Sequence, residues 1–310
     1  MSSPLQTILG VFLIALSAAL LALLAIVLLS PAMPEPAPAT AIPTSTPTSR
    51  ATSGRQTPVA TPGVEPVRCQ ETIGQVADET YFSDVSGTKQ TYIVYAPPCY
   101  GVTTTRYPAI YLIHGAGVDD THWESLGLFK VMDEGIQAGK LAPAIIVLPS
   151  GDAELYMNTS GDSGSYEAQI VDELIPTVDN LFRTDPRPEM RAIGGISRGG
   201  VWSLEIGFRH PGLFNIVGGH SPCVNLNGAP PEFDPRKMTD EPTLKTQRIF
   251  LDAGDRDECK MGADEQHLAL ENSGVAHVYK IWPGGHENAL WEAHLGDYLD
   301  FYTQTWPKQQ

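Results

Sequence analysis

The sequence is poor in positive charge. Only 20 Lys and Arg stand against 36 Asp and Glu, a formal net charge of -16 over 310 residues. So acidic a chain offers no basic face to a nucleic acid or an anionic membrane surface, and neither is expected to bind it through charge. Cysteine is also scarce. The four present, Cys69, Cys99, Cys223 and Cys259, make no Cys-x-x-Cys pair, which removes the usual zinc and thioredoxin-type spacings. An even number is still compatible with two disulfides in an oxidising compartment. No internal repeat and no metal-ligand spacing stands out, so neither a metal nor another cofactor is expected.

Charge is missing altogether from Ile8 to Leu29, an almost unbroken apolar run. A bilayer-spanning helix needs about 20 such residues. A cleavable signal peptide would have a shorter apolar core and a basic start, whereas Met1 to Thr7 holds no Lys or Arg. Residues 1–30 are therefore expected to be an uncleaved transmembrane anchor, with a signal peptide as the alternative. Residues 31–68 are rich in Pro, Thr, Ala and Ser and cannot bury a core; they are expected to form a disordered, extended linker. An anchor followed by a stalk implies an extracytoplasmic domain, membrane-held or, if the anchor is cleaved, secreted.

Residues 69–310 carry the pattern of a folded domain. Thr72 to Ser83 and Lys89 to Ala96 have strand composition around a Ser-Gly turn and predict an antiparallel hairpin. Pro108–Ile113 and Ala144–Leu148 are short, wholly apolar runs that predict buried strands. Met190–Ile193 is a short run that can be a third, and Phe214–Gly218, Arg248–Ala253 and His277–Trp282 predict further short strands. Helical spacing falls between them, at Trp123–Ala138, Tyr166–Phe182 (with a kink expected at Pro176), after Gly200, and at Asn288–Trp306. Alternating strands and helices predict a mostly parallel central sheet covered by helices on both faces. Ligands bind such sheets at the carboxyl ends of the strands.

One of those ends carries Gly195-Ile196-Ser197-Arg198-Gly199. A serine flanked by glycines at a strand-to-helix turn is the nucleophile-elbow pattern of the α/β-hydrolase fold. By chance alone the pentapeptide is also an ordinary Gly/Ser turn, so the decision rests on partners. In that fold an acid and then a histidine follow the serine in the chain. Asp255 and Asp257 both lie in the loop after Arg248–Ala253, while Asp252 lies within the strand. His286 sits in a Gly-Gly-His loop after the last strand. His277 begins a strand, and His267 and His294 fall on helices. A serine hydroxyl needs a base to remove its proton as it attacks, imidazole suits that task, and a carboxylate fixes the imidazole tautomer. His114-Gly115-Ala116-Gly117, after Pro108–Ile113, stands where one backbone donor of an oxyanion hole arises, and Arg198 would supply the other.

The stretches Gly164 to Thr184, Ala192 to Gly200 and Arg209 to Pro222 resemble an esterase family of the α/β-hydrolase superfamily that holds esterase D-like enzymes, feruloyl esterases, enterochelin esterases and mycolyltransferase antigens. The similarity runs from about residue 70 to 306. It implies an α/β-hydrolase domain with serine carboxylic-ester hydrolase activity through an acyl-enzyme, with Ser197, Asp257 and His286 as the triad. The choice of Asp257 over Asp255 follows from the family's spacing after Gly254. The resemblance also implies Ala116 and Arg198 N–H as the oxyanion hole, with Trp123 beside the His-Gly loop. Trp123 and the Arg198 side chain are the candidate substrate-binding residues; Arg198 departs from the Met or Leu common at that place. The substrate would be a small or polymer-linked ester, feruloyl and acetyl esters among them. An acyltransferase of the same fold is the alternative. A silent binding protein on a stalk would be expected to lack a triad member, and none is missing.

Ser221 to Gln247 is a long Pro-rich connection whose ends flank the expected site, as functional loops often do. Because their segments should be neighbours, Cys223 is expected to pair with Cys259 and Cys69 with Cys99.

Overall fold

Eight strands form a single sheet in the computed structural model, which describes residues 69–226 and 228–308. The expected anchor and linker, residues 1–68, lie outside the described residues. Among the described residues no helix is long and apolar enough to cross a membrane. The strands are β1 (Gln75–Ser83), β2 (Thr88–Ala96), β3 (Ala109–Ile113), β4 (Ile145–Pro149), β5 (Arg191–Ile196), β6 (Ile216–His220), β7 (Arg248–Gly254) and β8 (Val278–Trp282). Their order is β1-β2-β4-β3-β5-β6-β7-β8. β1 and β2 form the antiparallel hairpin, β2 also runs antiparallel to β4, and every pairing from β4 to β8 is parallel.

Side chains along a strand alternate between faces, and here each face meets its own core. Val94, Tyr111, Ile145, Val147 and Ile193 enter one apolar layer; Ile93, Ile110, Ile146, Leu148 and Ala192 enter the other. Burial on both faces is why these strands read as continuous apolar runs. The covering helices are α1 (Leu128–Gln137), α2 (Ala153–Asn158), α3 (Ile175–Leu181), α4 (Arg198–Arg209), α5 (Lys260–Asn272) and α6 (Asn288–Thr303).

The kink expected at Pro176 takes a particular form. A π-helical turn spans Gln169–Leu174, and α3 starts beyond it with Pro176 in its first turn. The π turn runs straight into α3, and this widened turn is where the helix takes in a residue that cannot donate an N–H. The long connection from β6 to β7 is a series of 3-10 turns, among them Val224–Leu226 and Pro242–Thr246. Both disulfides join the expected partners, Cys69 to Cys99 and Cys223 to Cys259.

Candidate active site

The carboxyl ends of β5, β7 and β8 deliver three side chains to one point. Ser197 stands between β5 and α4 with φ 59° and ψ -117°, a conformation that non-Gly residues rarely adopt. The glycines beside it make the turn feasible. A Cβ on Gly195 would overlap the Gly199 carbonyl, and one on Gly199 would overlap the Ile113 and His114 carbonyls. The Ser197 N–H is held by the His220 carbonyl at 2.8 Å. The hydroxyl is thus fixed at the head of α4.

His286 Nε2 lies 2.9 Å from Ser197 Oγ, and its Nδ1 lies 2.8 Å from Asp257 Oδ1. A carboxylate only accepts, so the imidazole proton sits on Nδ1 and Nε2 is left to accept the serine hydrogen. The Asp257 side chain is fully buried and that of His286 is 16% exposed. Burial pushes the Asp257 carboxyl upward, but hydrogen bonds from His286, the Ser221 hydroxyl and the Cys259 N–H outweigh it and hold the group below its ordinary value. Ser221 is the weak member: its oxygen takes the Trp291 indole N–H at 3.1 Å, and Asp257 Oδ2 has no partner of hydrogen-bond geometry.

Asp255 does not reach His286. It is half exposed, accepts the Gly284 N–H at 2.9 Å and pairs with Arg256 at 3.6 Å. It therefore shapes the loop that carries His286. Asp252 is fully buried and holds His220 at 2.9 Å, Tyr298 at 2.7 Å and Trp282 at 3.0 Å. His267 and His277 bind each other, and His294 stacks on Trp282.

The His114 to Gly117 loop lies against the elbow. Gly115 packs near Ser197, and its N–H is taken by His122 Nδ1 at 3.3 Å. Among the described residues, the N–H groups of Ala116 and Arg198 make no hydrogen bond, so both remain available to an incoming oxyanion. His114 is not a base. It is buried, its Nδ1 faces the Gly115 carbonyl at 2.7 Å, and burial lowers its pKa.

Both expected substrate-binding side chains are engaged by the protein itself. Trp123 is 1% exposed, donates to the Ile113 carbonyl at 3.0 Å and packs edge-on against His220 and Tyr298. No face of it is open to a substrate, so its place is in the core and the expectation is corrected. The Arg198 guanidinium lies over Trp202 and donates to the carbonyls of Tyr156 and Thr159 at 3.2 Å. It neither enters a salt bridge among the described residues nor points free into the site. It clips the end of α2 to the elbow helix.

Sequence reasoning missed several supports. His122 donates from Nε2 to Asn288 Oδ1 at 3.0 Å while accepting from Gly115. Tyr156 donates to the His114 carbonyl at 2.5 Å. Trp291 stands edge-on to both His122 and His286. The spacing of Trp291, five residues after His286 on an amphipathic helix, was the one available signal for it. The other two sit on segments with no periodic pattern. Among the described residues two groups of metal-ligand types occur, Cys223-Cys259-His286 and Cys69-Glu71-Cys99. In each, the two sulfurs are bonded to each other, which leaves a single free donor.

The fold and the site together define an α/β hydrolase. Residues 83–302 match the family model described as "Putative esterase", and the chain belongs to that family. It is 30% identical over 226 residues to an endo-1,4-beta-xylanase/feruloyl esterase of Xylanibacter ruminicola, covering 67% of this chain and 30% of that one. It is 28% identical over 239 residues to esterase Rv1288 of Mycobacterium tuberculosis, covering 62% and 51%. Among solved structures it resembles a ferulic acid esterase with TM-score 0.68 and 25% identity, over 75% of this chain and 99% of that one. The chain thus spans about half or less of the length of these two curated relatives.

Proposed function

We propose that the domain is a serine carboxylic-ester hydrolase working through an acyl-enzyme on Ser197. The observation that carries this is the hydrogen-bonded series Ser197–His286–Asp257 at a strained elbow. In the first half-reaction Ser197 Oγ attacks the ester carbonyl carbon as His286 Nε2 takes its proton. The carbonyl oxygen becomes an oxyanion held by the N–H groups of Ala116 and Arg198. Each such donor is worth roughly 3 kcal/mol of barrier. His286 then returns the proton to the leaving alcohol. Water repeats the sequence on the acyl group, and Asp257 stabilises the imidazolium in both halves.

The names of the relatives support a ferulate-type acyl group, small or polymer-linked, as the substrate class to test first. An extracytoplasmic, membrane-held domain is the setting we propose. It is supported by the apolar run at Ile8–Leu29 and by two disulfides in the domain.

The test is hydrolysis of nitrophenyl acetate and methyl ferulate by the full chain and by Ser197→Ala. The expected loss in kcat is at least about a thousandfold, since removing a triad member leaves only binding and oxyanion stabilisation. Wild-type rates in Ser197→Ala would remove the assignment.

A further inference from the structure

The Cys223–Cys259 disulfide touches the candidate triad at two places. Cys223 Sγ lies 3.6 Å from Ser197 Oγ. Cys259 donates its N–H, at 2.7 Å, to Asp257 Oδ1, the same oxygen that receives His286 Nδ1. The bond therefore ties the start of the β6–β7 connection, next to the nucleophile, to the loop that carries the acid. The other holds on that acid are few: the weak Ser221 contact and the Lys260 N–H, which reaches the Asp257 carbonyl at 3.1 Å. Its other oxygen lacks a partner, and its own N–H makes a 3.3 Å bond to the Gly254 carbonyl. Cys69–Cys99, by contrast, joins the entry of the domain to the turn after β2 and shares no contact with the triad.

We propose that Cys223 and Cys259 are positioning residues of this catalytic site, and that two-electron reduction of their disulfide by a dithiol lowers turnover while the domain stays folded. The proposal rests on reading Ser197, His286 and Asp257 as the triad.

The geometry indicates why opening the bond would be felt. Bonded sulfurs sit about 2 Å apart, whereas unbonded heavy atoms need roughly 3.5–4 Å. Two thiols must therefore separate by more than an ångström. Cys223 Sγ is already in contact with Ser197 Oγ and has no free space on that side. The separation then falls on the Cys259 side, where the backbone N–H carries Asp257 with it, or swings Cys223 off its contact with the nucleophile. Misplacement of a reacting group by about 1 Å can cost about a hundredfold in rate.

The chemistry of opening is balanced. Cys259 is fully buried and Cys223 partly exposed, so the reductant's thiolate attacks Cys223 Sγ. The S–S bond breaks and Cys259 leaves as a thiolate at the N-cap of α5, where the helix dipole favours negative charge. The second thiol of the reductant then displaces Cys223. The protein gains two electrons and two protons, and the dithiol becomes a cyclic disulfide.

The experiment uses the full chain carrying Cys69→Ala and Cys99→Ala, which leaves one disulfide. Free thiols are counted before and after dithiothreitol, and kcat and KM for nitrophenyl acetate are measured at each stage. The expected result is two new thiols, a fall in kcat of at least tenfold with KM within about twofold, retained cooperative melting above the assay temperature, and recovery on reoxidation. Should the bond resist the reductant, the double variant Cys223→Ser/Cys259→Ser is expected to show the same low kcat and no response to dithiothreitol. Unchanged kcat with both thiols counted, or in the double variant, overturns the proposal. Loss of kcat only together with loss of cooperative melting overturns it too, since the bond would then be a staple of the fold. Ser197→Ala separates the two ideas: if it is inactive while the reduced enzyme keeps full kcat, only this proposal fails.

Discussion

Two carboxylates two residues apart do different work in one loop. Asp257 reaches inward to His286, and Asp255 reaches sideways to the Gly284 N–H that precedes it. Replacing each by Asn separates them. Asp257→Asn keeps the shape but can donate as well as accept, so it no longer enforces the Nδ1–H tautomer; a loss near ten-thousandfold in kcat is expected. Asp255→Asn keeps an acceptor for Gly284 N–H, and a loss under tenfold is expected. Steady-state kinetics on one ester decide, and the opposite ranking would move the acid to Asp255. The pH sign follows from the depressed Asp257 value, in which burial is outweighed by hydrogen bonds to the ionised form. A carboxylate held below its unfolded value contributes stability that is present above the unfolded pKa and lost as pH falls through the folded one. Asp257 thus stays ionised across the neutral range.

At the scale of elements, Arg198 joins three pieces of the site. Its backbone opens α4, and its guanidinium closes the last carbonyls of α2. Tyr156 on α2 in turn holds the His114 carbonyl of the His114–Gly117 loop. Helix α2 is short and needs such caps, because its terminal carbonyls have no helical partner. At its other end the Asp152 side chain accepts from Glu154 and Leu155. Arg198→Ala should therefore loosen residues 153–159 while keeping the backbone N–H. The expected outcome is a KM raised several-fold with kcat within about threefold, and faster amide exchange over 153–159. A collapse in kcat at unchanged KM would place the effect in the oxyanion geometry instead. None of this was legible in the sequence, since a guanidinium bound to carbonyls leaves no pattern of charges to read. The inner strands β3 and β4 were legible because burial on both faces forces apolar runs, as in Ile145–Leu148, whereas the largely exposed β1 was legible from its strand composition and the Ser-Gly turn after it. The hydrogen-bonded set Ser197, His286 and Asp257 was legible as a candidate because chain order limits the choices for acid and base. Trp123 misled because its place beside the His-Gly loop fits a pocket wall as well as the core; only three-dimensional packing distinguishes the two.

Across the whole molecule the sheet is underlain by buried polar groups, and most of them are satisfied. Tyr302, His220, Asp252 and Tyr298 form a hydrogen-bonded series between β6, β7 and α6. Asp257 is one of the exceptions, and Glu205 on α4 is another. It is 1% exposed and its Oε1 has no partner. Burial first, and then the nearby Glu167, push its carboxyl up to about 8, against the opposing pull of Arg198 and Arg209. A carboxyl raised above its unfolded value of 4.5 keeps its proton in the folded state while the unfolded chain has released it. The unfolded state then binds fewer protons, so stability declines as pH rises from about 4.5 to 8 and levels off beyond. The decline is at most about 1.4 kcal/mol per pH unit in that window. Glu205→Gln preserves the shape and removes the titration. The variant should melt several degrees above the wild type at pH 8, on the order of 2–4 °C per kcal/mol for a domain of this size. That gap should shrink toward zero by pH 5. The general repulsion within a chain of net charge -16 also grows with pH, but it changes little between the two proteins and cancels in the comparison. Calorimetric scans at four pH values from 5 to 8 measure the gap, and a gap independent of pH would mean that Glu205 is ionised in the fold throughout.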